Sequence, residues 1–573
     1  MTANEPTANG STPSEPTGNG LQLNLALIDS LRRDLAAARF HLDDVARLVG
    51  DSAFAAWRRD QRMPAALMTR AILADTHAPQ RSKRLATLAA LFLCGEEVSA
   101  VDVDDALEHV GARGLSELGL CEIVGEASSG TVRARLILEP HDVTDGEATH
   151  HWWIASDLPE HLTGCALAPD HVLGIGGATR TLAALLPPPR QIGGDKRGTS
   201  HDPAPEERAV AVGLDLGTGC GIIALYLSLR CRHVIATDIN PRACRIAAFN
   251  AALNGIDLDI REGSLFDPVA GERIDLIMAN PPFVITPQAL RERGIVTYRD
   301  GGKRGDALMR EVLVGAAGHL APGARAIVVG NWEIADDVAE WSDAVEVMLT
   351  DVDAHAWVIQ REELAVTDYV EMWMRDNAAS IRAPRRQVEE DFATWVADFS
   401  ARNVRAIGMG IVALSRGRVA PENSGSTGVD SPAEAVGSDG STWQREYSRI
   451  ETSTSANGAY LDSVLTLVAQ GRVDPPGDAR LVRTADVREE RHYIPGSPDP
   501  DIIIATQGDG FGQRIRVSSH AAAVLGACDG ELTLDQITGA LAIITESEVD
   551  VVRHEVAPQI RAMVVAGMLR DLD

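Results

Sequence analysis

The chain has 573 residues, more than one hydrophobic core usually organises, so its length predicts about three folding units. Its formal net charge of −29 argues against a nonspecific nucleic-acid binder, because an acidic surface repels phosphates on average. The seven scattered cysteines include no C-x-x-C pair and no apolar run is long enough to span a membrane, so we expect a cytoplasmic protein without structural zinc, disulfides or a membrane partner.

The N-terminal part is predicted to be a disordered tail followed by a largely helical domain. Residues 1–20 are rich in Thr, Ser, Pro, Gly and Asn, a composition typical of disorder. From 21 to about 110, apolar residues recur three and four apart, which predicts helices. The segment "LCEIVGEASSGTVRARLILEPHDV" then predicts a β-hairpin. Helices followed by such a hairpin indicate a winged-helix-like domain over residues 21–150.

Two features of this domain leave alternatives open. Eleven Lys or Arg stand against six Asp between Leu31 and Ala90, which indicates either a solvated helix face or a docking surface for an acidic partner or RNA. The run "HHWW", His150 to Trp153, indicates either core packing or a metal or base-stacking patch.

Residues 151–418 are predicted to form an α/β domain. A glycine-broken loop and a helix at 170–187 precede a flexible insertion at 187–208. Strand patterns such as "AVGLDLG", "HVIATDI", "LDIREG", "RIDLIMAN" and "ARAIVVGN" then alternate with helical patterns, and "AHAWVIQRE" and "VRAIGMGIVALSR" supply two later strands. This alternation predicts a mainly parallel sheet covered by helices on both faces.

The C-terminal part is predicted to be a linker and a small acidic domain. Residues 419–442 form a Ser/Gly/Pro-rich low-complexity linker. Residues 443–573 carry two or three helical patterns and are expected to form a small α+β domain, for which a second winged-helix-like arrangement is one option. From 421 onward, 24 acidic residues stand against 12 basic ones, so we do not expect nucleic-acid binding there.

The motif "DLGTGCG", Asp215 to Gly221, follows a predicted strand and opens a predicted helix. Such a turn exposes backbone N–H groups and Cα atoms without side chains to a ligand, at the positive end of a helix. Such turns bind NAD, FAD, nucleotides and S-adenosylmethionine alike, so the motif alone does not indicate which ligand is bound.

Three further strand ends narrow this choice. Asp238 ends the next strand in "ATDIN", about 20 residues after the glycines, where a carboxylate can accept both ribose hydroxyls. "GSLFD" ends the third strand, where Leu265 or Phe266 could cover an adenine ring, with Asp267 near its amino group. "RIDLIMAN" ends in Asn280-Pro281-Pro282-Phe283. All lie at the carboxyl ends of consecutive strands, where an open α/β sheet binds its ligand.

Together, "DLGTGCGIIAL", "ATDINPRA", "GSLFDPV" and "IDLIMANPPFV" resemble a class I S-adenosylmethionine-dependent methyltransferase, most closely the HemK/PrmC-type branch that methylates a glutamine amide in release factors. The whole-chain arrangement resembles actinobacterial multi-domain methyltransferases. The resemblance implies a Rossmann-like, seven-stranded domain with S-adenosyl-L-methionine as cofactor and no metal.

The resemblance also implies roles for named residues. The predicted cofactor-binding set is Asp215, Gly217, Thr218, Gly219, Cys220, Gly221, Asp238, Ile239, Asn240, Leu265, Phe266 and Asn280. The predicted catalytic set that holds the acceptor is Asn280, Pro281, Pro282 and Phe283. We also expect Tyr298, Arg299 and Asp300, before Gly301-Gly302, to line the acceptor side, and Arg304 to meet an acidic substrate.

The turn Asn280-Pro281-Pro282-Phe283, called the acceptor turn below, suits methyl transfer to a planar amino group. An amide or base NH2 is a poor nucleophile because its lone pair is delocalised, and two acceptors that bind both N–H groups can direct that lone pair at the methyl group. Asn280 Oδ1 and the Pro281 carbonyl are the natural pair, held rigid by two prolines, while Phe283 would stack on the acceptor.

The residues at positions 283 and 284 do not decide which substrate is methylated. Glutamine methyltransferases usually carry Tyr where this chain has Phe283, whereas enzymes that act on guanine amino groups of RNA carry Phe followed by His, not Val284. A protein glutamine in a release-factor-like partner is the first hypothesis, and an adenine or guanine amino group in RNA or DNA is the alternative. A hypothesis of another class is a non-catalytic cofactor-binding interaction module. Oligomeric state is not indicated.

Overall fold

The computed structural model describes residues 20–126, 130–164, 167–188, 210–292, 299–376, 383–417, 434–436, 442–450, 457–508 and 510–571. Several predictions therefore lie outside the described residues: the disordered tail apart from Gly20, nearly all of the 187–208 insertion, most of the 419–442 linker, Cys165 and Tyr298. The described chain forms two compact units, Met1–Leu158 with Ala252–Asn254, and Pro159–Ala251 with Gly255–Asp573.

The first unit is helical, with a small sheet and a long hairpin. Its helices are α1 Leu25–Ala37, α2 Leu42–Val49, α3 Asp51–Trp57, α4 Met63–Ala74, α5 Gln80–Leu88 continued by a π-helical turn, α6 Ala100–Ala106 and α7 Gly111–Leu118. Its strands are β1 Val98–Ser99, β2 Cys121–Val124, β3 Thr131–Ala134, β4 Leu136–Asp145 and β5 Ala148–Asp157.

The order α5, β1, α6, α7, β2, β3, with the sheet order β1-β3-β2, is the winged-helix arrangement that the sequence predicted. The predicted boundary at 150/151 falls inside β5, because β4 and β5 pair along their whole length. The "HHWW" run lies in β5, and the buried Trp152 and Trp153 favour the packing interpretation.

The basic residues of this unit are mostly paired. Of the eleven Lys or Arg between 31 and 90, seven form ion pairs with nearby carboxylates. Arg39, Arg47 and Arg81, for example, surround the carboxylate of Asp44 at 3.0, 3.2 and 3.5 Å. The local excess of positive charge is therefore largely neutralised within the unit.

The second unit is built on one large sheet. Its helices are α8 Glu160–Thr163, α9 Gly177–Ala184, α10 Ile222–Ser228, α11 Pro241–Asn254, α12 Gln288–Arg291, α13 Ala307–His319, α14 Trp341–Met348, α15 Val366–Asp376, α16 Arg385–Ser400, α17 Gly458–Ala469, α18 Ser519–Ala527, α19 Leu534–Ile544 and α20 Val549–Val565. The end of α11, Ala252–Asn254, is counted with the first unit. Its strands are β6 Val210–Leu216, β7 Cys231–Asp238, β8 Asp259–Glu262, β9 Ile274–Ala279, β10 Leu320–Ala335, β11 His355–Ala365, β12 Val404–Ser415, β13 Glu434–Val436, β14 Thr442–Arg449, β15 Leu481–Arg483, β16 Arg488–His492, β17 Ile502–Thr506, β18 Arg514–Val517 and β19 Leu569–Asp571.

The central sheet has the order β13-β14-β11-β12-β10-β9-β6-β7-β8. Strands β8, β7, β6, β9 and β10 are parallel, and β12 is antiparallel to both β10 and β11. The predicted strand and helix alternation is confirmed, and it brings the carboxyl ends of β6, β7, β8 and β9 to one edge of the sheet. A buried cluster that includes Leu313, Val328 and Trp332 packs α13 and α14 against this sheet.

The sheet has nine strands rather than the seven expected, because β14 adds to β11 in parallel and β13 pairs with β14. Residues 434–436 of the predicted linker are thus a strand, and the predicted boundary at 442/443 lies at the start of a strand of the central sheet. Sequence alone could not show this, since the pairing of β14 with β11 joins residues about 90 positions apart.

The remaining C-terminal residues form a small α+β part, as predicted, with its own buried cluster that includes Val524, Val556 and Met563. It carries a three-stranded sheet, β16-β17-β18, and the pair β15-β19. Among the described residues the three-stranded sheet precedes α18, α19 and α20 and a single strand follows them, which differs from a winged helix.

Candidate active site

The glycine turn after β6 presents bare backbone to a cleft. Gly217 and Gly219 have φ of +74° and +54°, which glycine adopts without strain. The N–H groups of Gly217 and Thr218 donate to Thr237 O at 2.9 and 2.8 Å, which ties the turn to β7. A Cβ added at Gly217 or Gly219 would meet no atom within 4 Å, so both glycines face open space.

Gly221 has a different role. Its φ is +86°, and an added Cβ would lie 3.0 and 3.1 Å from Cβ and Cα of Ala247. This glycine therefore allows α10 to start close to α11, and it does not line the cleft. Cys220 lines the cleft, and its carbonyl accepts a 2.8 Å hydrogen bond from Asn250 Nδ2.

Two carboxyl groups lie beside the turn. Asp215 is 2% exposed and accepts hydrogen bonds from Thr218 Oγ1 at 2.6 Å and Ala224 N at 2.9 Å. Burial raises the pKa of Asp215 to about 7. Asp238 accepts from the N–H groups of Gly219 and Asn240, each at 2.9 Å, and burial raises its pKa against the opposing effect of these bonds. Both acids sit where a cation or a hydroxyl donor would favour their ionised forms.

The remaining wall on this side is partly apolar. Ile239 is 58% exposed, Leu265 holds a positive φ of +45°, and Asn240 donates through Nδ2 to Asp170 O at 2.9 Å. All three line the cleft. A positive φ is uncommon for a residue other than glycine and often marks functional sites.

The prediction that Phe266 covers an adenine is not met by its position. Its ring is stacked on His319, with the centroids 4.8 Å apart and the planes 17° apart. An added Cβ on Gly315 would fall 2.3 Å from the Phe266 ring, so the ring lies against α13 in the core. Asp267 likewise does not line the cleft. Of the two residues that could cover an adenine, Leu265 is the one that lines the cleft.

The acceptor turn carries an unsatisfied acceptor atom. Asn280 Nδ2 donates to Thr179 Oγ1 at 3.2 Å. Asn280 Oδ1 is covered from solvent and has no hydrogen-bond partner among the described residues. A buried carbonyl oxygen without a donor is costly, so this atom calls for a ligand that donates. Asn280, Pro281 and Pro282 all line the cleft.

Phe283 lies behind this turn. Its ring centroid is 6.2 Å from that of Trp373, and it lines a smaller adjoining cavity and not the main cleft. Phe283 and Asp300 form a β-bridge, and Val284 N donates to Arg299 O at 3.0 Å. Phe283 thus borders the adjoining cavity, and its stacking on an acceptor stays a prediction.

The loop before α13 completes the acceptor side: Asp300 lines the cleft as predicted, together with Gly301 and Gly302. Arg299 does not line it, because its guanidinium lies over the Trp373 ring, 5.0 Å from the ring centroid. Asp300 is buried and accepts from Arg291 Nε at 2.8 Å and Gly302 N at 2.7 Å. Lys303 also lines the cleft, whereas Arg304 is exposed and does not.

The cleft has a volume of about 390 Å³ and joins the glycine turn, the ends of β7 and β8, and the acceptor turn. It unites the predicted cofactor-binding and catalytic sets except Gly221, Phe266 and Phe283. Sequence reasoning assigned no role to a wall formed by His171, Val172, Leu173, Gly174 and Thr179. The glycine-broken pattern at 170–176 indicated a loop there. Such a pattern does not indicate which part of the fold the loop contacts, so its place beside the cleft could not be predicted.

The described residues contain neither a metal-binding cluster nor a helix that could span a membrane. Within those residues, no group of three or more His, Cys, Asp or Glu side chains is placed to hold a metal ion. None of the described helices combines the length and the apolar composition that crossing a membrane requires.

Parts of the chain match known families and proteins. Residues 204–335 match the model of the Methyltransferase small domain, and residues 37–135 match that of a Domain of unknown function, DUF7059. A release factor glutamine methyltransferase of Xylella fastidiosa is 37% identical over 136 residues, 22% of this chain and 48% of that protein. One of Geobacter sulfurreducens is 35% identical over 128 residues, 21% of this chain and 44% of that protein.

The chain thus spans about half the length of these curated relatives. Among solved structures, a methyltransferase from Pyrococcus furiosus is 16% identical with a TM-score of 0.22, over 37% of this chain and 77% of that one. The family match and the sequence relatives confirm the predicted resemblance of this domain to HemK/PrmC-like class I methyltransferases.

Proposed function

We propose that the protein transfers a methyl group from S-adenosylmethionine to the side-chain amide nitrogen of a glutamine in a protein partner. The observation that carries the proposal is Asn280 Oδ1, a covered acceptor without a donor, in a Pro-Pro turn that borders the glycine-lined cleft. An amide NH2 is a donor of the required kind. The relatives named release factor glutamine methyltransferase support a release factor as the first partner to test.

The residues of the cleft fit S-adenosylmethionine. The cleft volume of about 390 Å³ lies within the usual range for small-molecule sites. We assign the ribose hydroxyls to the Asp238 carboxylate, the adenine to the apolar side chains of Ile239 and Leu265, and the cationic methionine end to the region of Asp215. The open faces of Gly217 and Gly219 leave room for the ligand beside the backbone.

Bound S-adenosylmethionine would supply an electrophilic methyl group on a sulfonium. The chain's own part is to bind and orient the acceptor nitrogen. Asn280 Oδ1 and the Pro281 carbonyl accept the two N–H groups, and Thr179 fixes the Asn280 amide by accepting from its Nδ2. The prolines hold the direction of the carbonyl because their φ angles are locked. As the nitrogen–methyl bond formed, the sulfonium–methyl bond would break, S-adenosylhomocysteine would leave, and the nitrogen would lose one proton to solvent. Catalysis then rests on positioning and electrostatics.

A protein acceptor is favoured over a nucleic acid by charge. The chain is strongly acidic, and most basic residues at 31–90 are paired with carboxylates in the first unit. Little unpaired positive charge is thus offered to phosphates there. The intact acceptor turn also argues for an enzyme rather than a non-catalytic binding module.

Asn280→Ala tests the role of the acceptor turn. We expect turnover with a release factor to fall by about 10²-fold to 10³-fold, the usual effect of removing one transition-state hydrogen-bonding group, while the Kd for S-adenosylmethionine changes less than about twofold. Calorimetry measures the Kd and transfer of a labelled methyl group measures turnover. Asn457→Ala, which removes an amide side chain from the N-cap of α17, is the matched control. A parallel loss of turnover and cofactor affinity would contradict the assignment.

The acceptor class is tested separately. The wild-type protein is incubated with labelled S-adenosylmethionine and cell extract, and the product is treated with protease or nuclease. Label released by protease, and found as N5-methylglutamine after hydrolysis, is the expected result. Label released only by nuclease would replace glutamine by a base as the acceptor.

A further inference from the structure

A buried polar pair lies beneath the acceptor turn. Tyr369 on α15 is 0% exposed and Asn331 on β10 is 2% exposed. Tyr369 belongs to an otherwise apolar cluster that includes Val284, Ile285 and Phe399. Burial raises the pKa of Tyr369 to about 12, so the hydroxyl remains neutral. Burying polar groups in such surroundings is costly unless they are hydrogen-bonded, so their partners indicate what the pair does.

The partners of the pair belong to the segment that follows the two prolines. Tyr369 Oη accepts from Ile285 N at 3.1 Å and from Asn331 Nδ2 at 3.2 Å. Asn331 Nδ2 also lies 3.4 Å from Phe283 O. The pair therefore contacts the backbone on both sides of Val284.

The turn needs such support because its prolines have no N–H to donate. On one side, Ala279 is fixed in the sheet between Leu216 and Val328. On the other, the bonds from Tyr369 and Asn331 act together with the Phe283–Asp300 bridge. Asn280 thus lies between two anchored ends, and the tyrosine hydroxyl is part of the second anchor.

That hydroxyl comes from an element outside the alternating strands and helices that were predicted to form the cleft. Helix α15 follows β11 directly and packs with α16, and together they form a helical hairpin between β11 and β12. Trp395 and Phe399 of α16 make ring contacts with Tyr369 at centroid distances of 6.3 and 6.0 Å. The hairpin thereby holds the tyrosine ring in one orientation.

We propose that Tyr369 is a positioning residue for methyl transfer: through Ile285 N and Asn331 it holds the Asn280–Phe283 turn so that Asn280 Oδ1 and the Pro281 carbonyl keep the directions the acceptor amide requires. This inference rests on the proposed function. Tyr369 does not line the cleft, so it acts on the acceptor only through the turn. Its loss should lower turnover without changing cofactor affinity.

Tyr369→Phe tests the proposal, since it removes only the hydroxyl. We expect kcat to fall about tenfold, with the Kd for S-adenosylmethionine within about twofold of wild type. We also expect faster hydrogen exchange at the Ile285 amide. Tyr460→Phe is the matched control, because this buried tyrosine donates its hydroxyl to Val565 O at 2.6 Å and does not line the cleft.

The exchange measurement uses the protein without an acceptor, so it separates the two proposals. A wild-type protein that transfers no methyl group would overturn the proposed function, while the exchange rate at Ile285 would still decide whether Tyr369 holds the turn. Unchanged exchange at Ile285, or a kcat equal to that of Tyr460→Phe, would overturn the positioning role. If Tyr369→Phe fails to fold, Asn331→Leu removes the side-chain N–H group that donates to the Tyr369 hydroxyl and to Phe283 O, and leaves the tyrosine ring in place. A kcat for Asn331→Leu no lower than that of the control would likewise overturn the proposal.

Discussion

The affinity of the protein for S-adenosylmethionine should fall as the pH is lowered from 8 to 6, through the protonation of Asp215. This carboxyl group is 2% exposed and lines the cleft beside the glycine turn. A cationic ligand stabilises its ionised form, whereas burial favours its neutral form. Protonation therefore competes with binding.

The size of the effect follows from the pKa of about 7. At pH 8 about 90% of the Asp215 carboxyl groups are ionised, and at pH 6 about 10% are, so the apparent Kd should rise about tenfold between these values. Asp238, whose pKa is also raised by burial, adds to the change at the acid end. Without ligand, the raised pKa of Asp215 affects the stability of the fold with the opposite pH trend. The Asp215 carboxyl group takes up a proton on folding, so its contribution to the free energy of unfolding declines as the pH rises from about 4 to 7.

Calorimetric titration with S-adenosylmethionine at pH 6, 7 and 8 measures this directly. Asp215→Asn should bind more weakly at pH 8 and show a flatter pH profile. Asp267→Asn serves as the control, because Asp267 is exposed and does not line the cleft. A wild-type affinity that is constant across this range, or an unchanged pH slope in Asp215→Asn, would refute the assignment of Asp215 to the cationic end of the ligand.

Gly221→Ala should destabilise the protein by about 1–3 kcal/mol, because it combines a φ of +86° with contacts of 3.0 and 3.1 Å to Ala247, and a lower thermal midpoint measures this. Gly219→Ala has open space around its new methyl group, so it should lower affinity for S-adenosylmethionine more than it lowers stability. A larger loss of stability in Gly219→Ala and a larger loss of affinity in Gly221→Ala would contradict these assigned roles. Asp34→Ala should destabilise the first unit by about 2–4 kcal/mol, because the buried Asp34 carboxylate accepts from the backbone N–H groups of His109 and Val110 at 2.9 and 2.8 Å. Urea unfolding, monitored by hydrogen exchange of the α1 amides, measures that loss of stability. Asp34→Asn keeps one acceptor oxygen, so it should lose less stability.

The alternation of strands and helices in the second unit was predictable from the sequence. Strands β6, β7 and β9 and helices α10, α11 and α13 occur where the apolar periodicity indicated them. The position of Asp215, Asp238 and Asn280 in one cleft followed from their places at the carboxyl ends of parallel strands. The resemblance to a methyltransferase family added the expected ligand to this geometry.

The tertiary structure decided matters that depend on distant residues. The ring of Phe266 packs on His319, and β14 adds to β11 although they lie about 90 residues apart. Nothing within a few residues of "GSLFD" indicates that Gly315 leaves space for that ring.

The same distinction applies to the acceptor turn. Two consecutive prolines after Asn280 are a local signal, and they predicted a stiff turn at the end of β9. The tyrosine that anchors this turn is 84 positions beyond Ile285, in a helical hairpin that has no sequence motif of its own. Local periodicity reflects contacts between residues two to four apart, so sequence alone determined where the turn occurs. Its support depends on packing between distant segments, and only the folded chain brings those segments together.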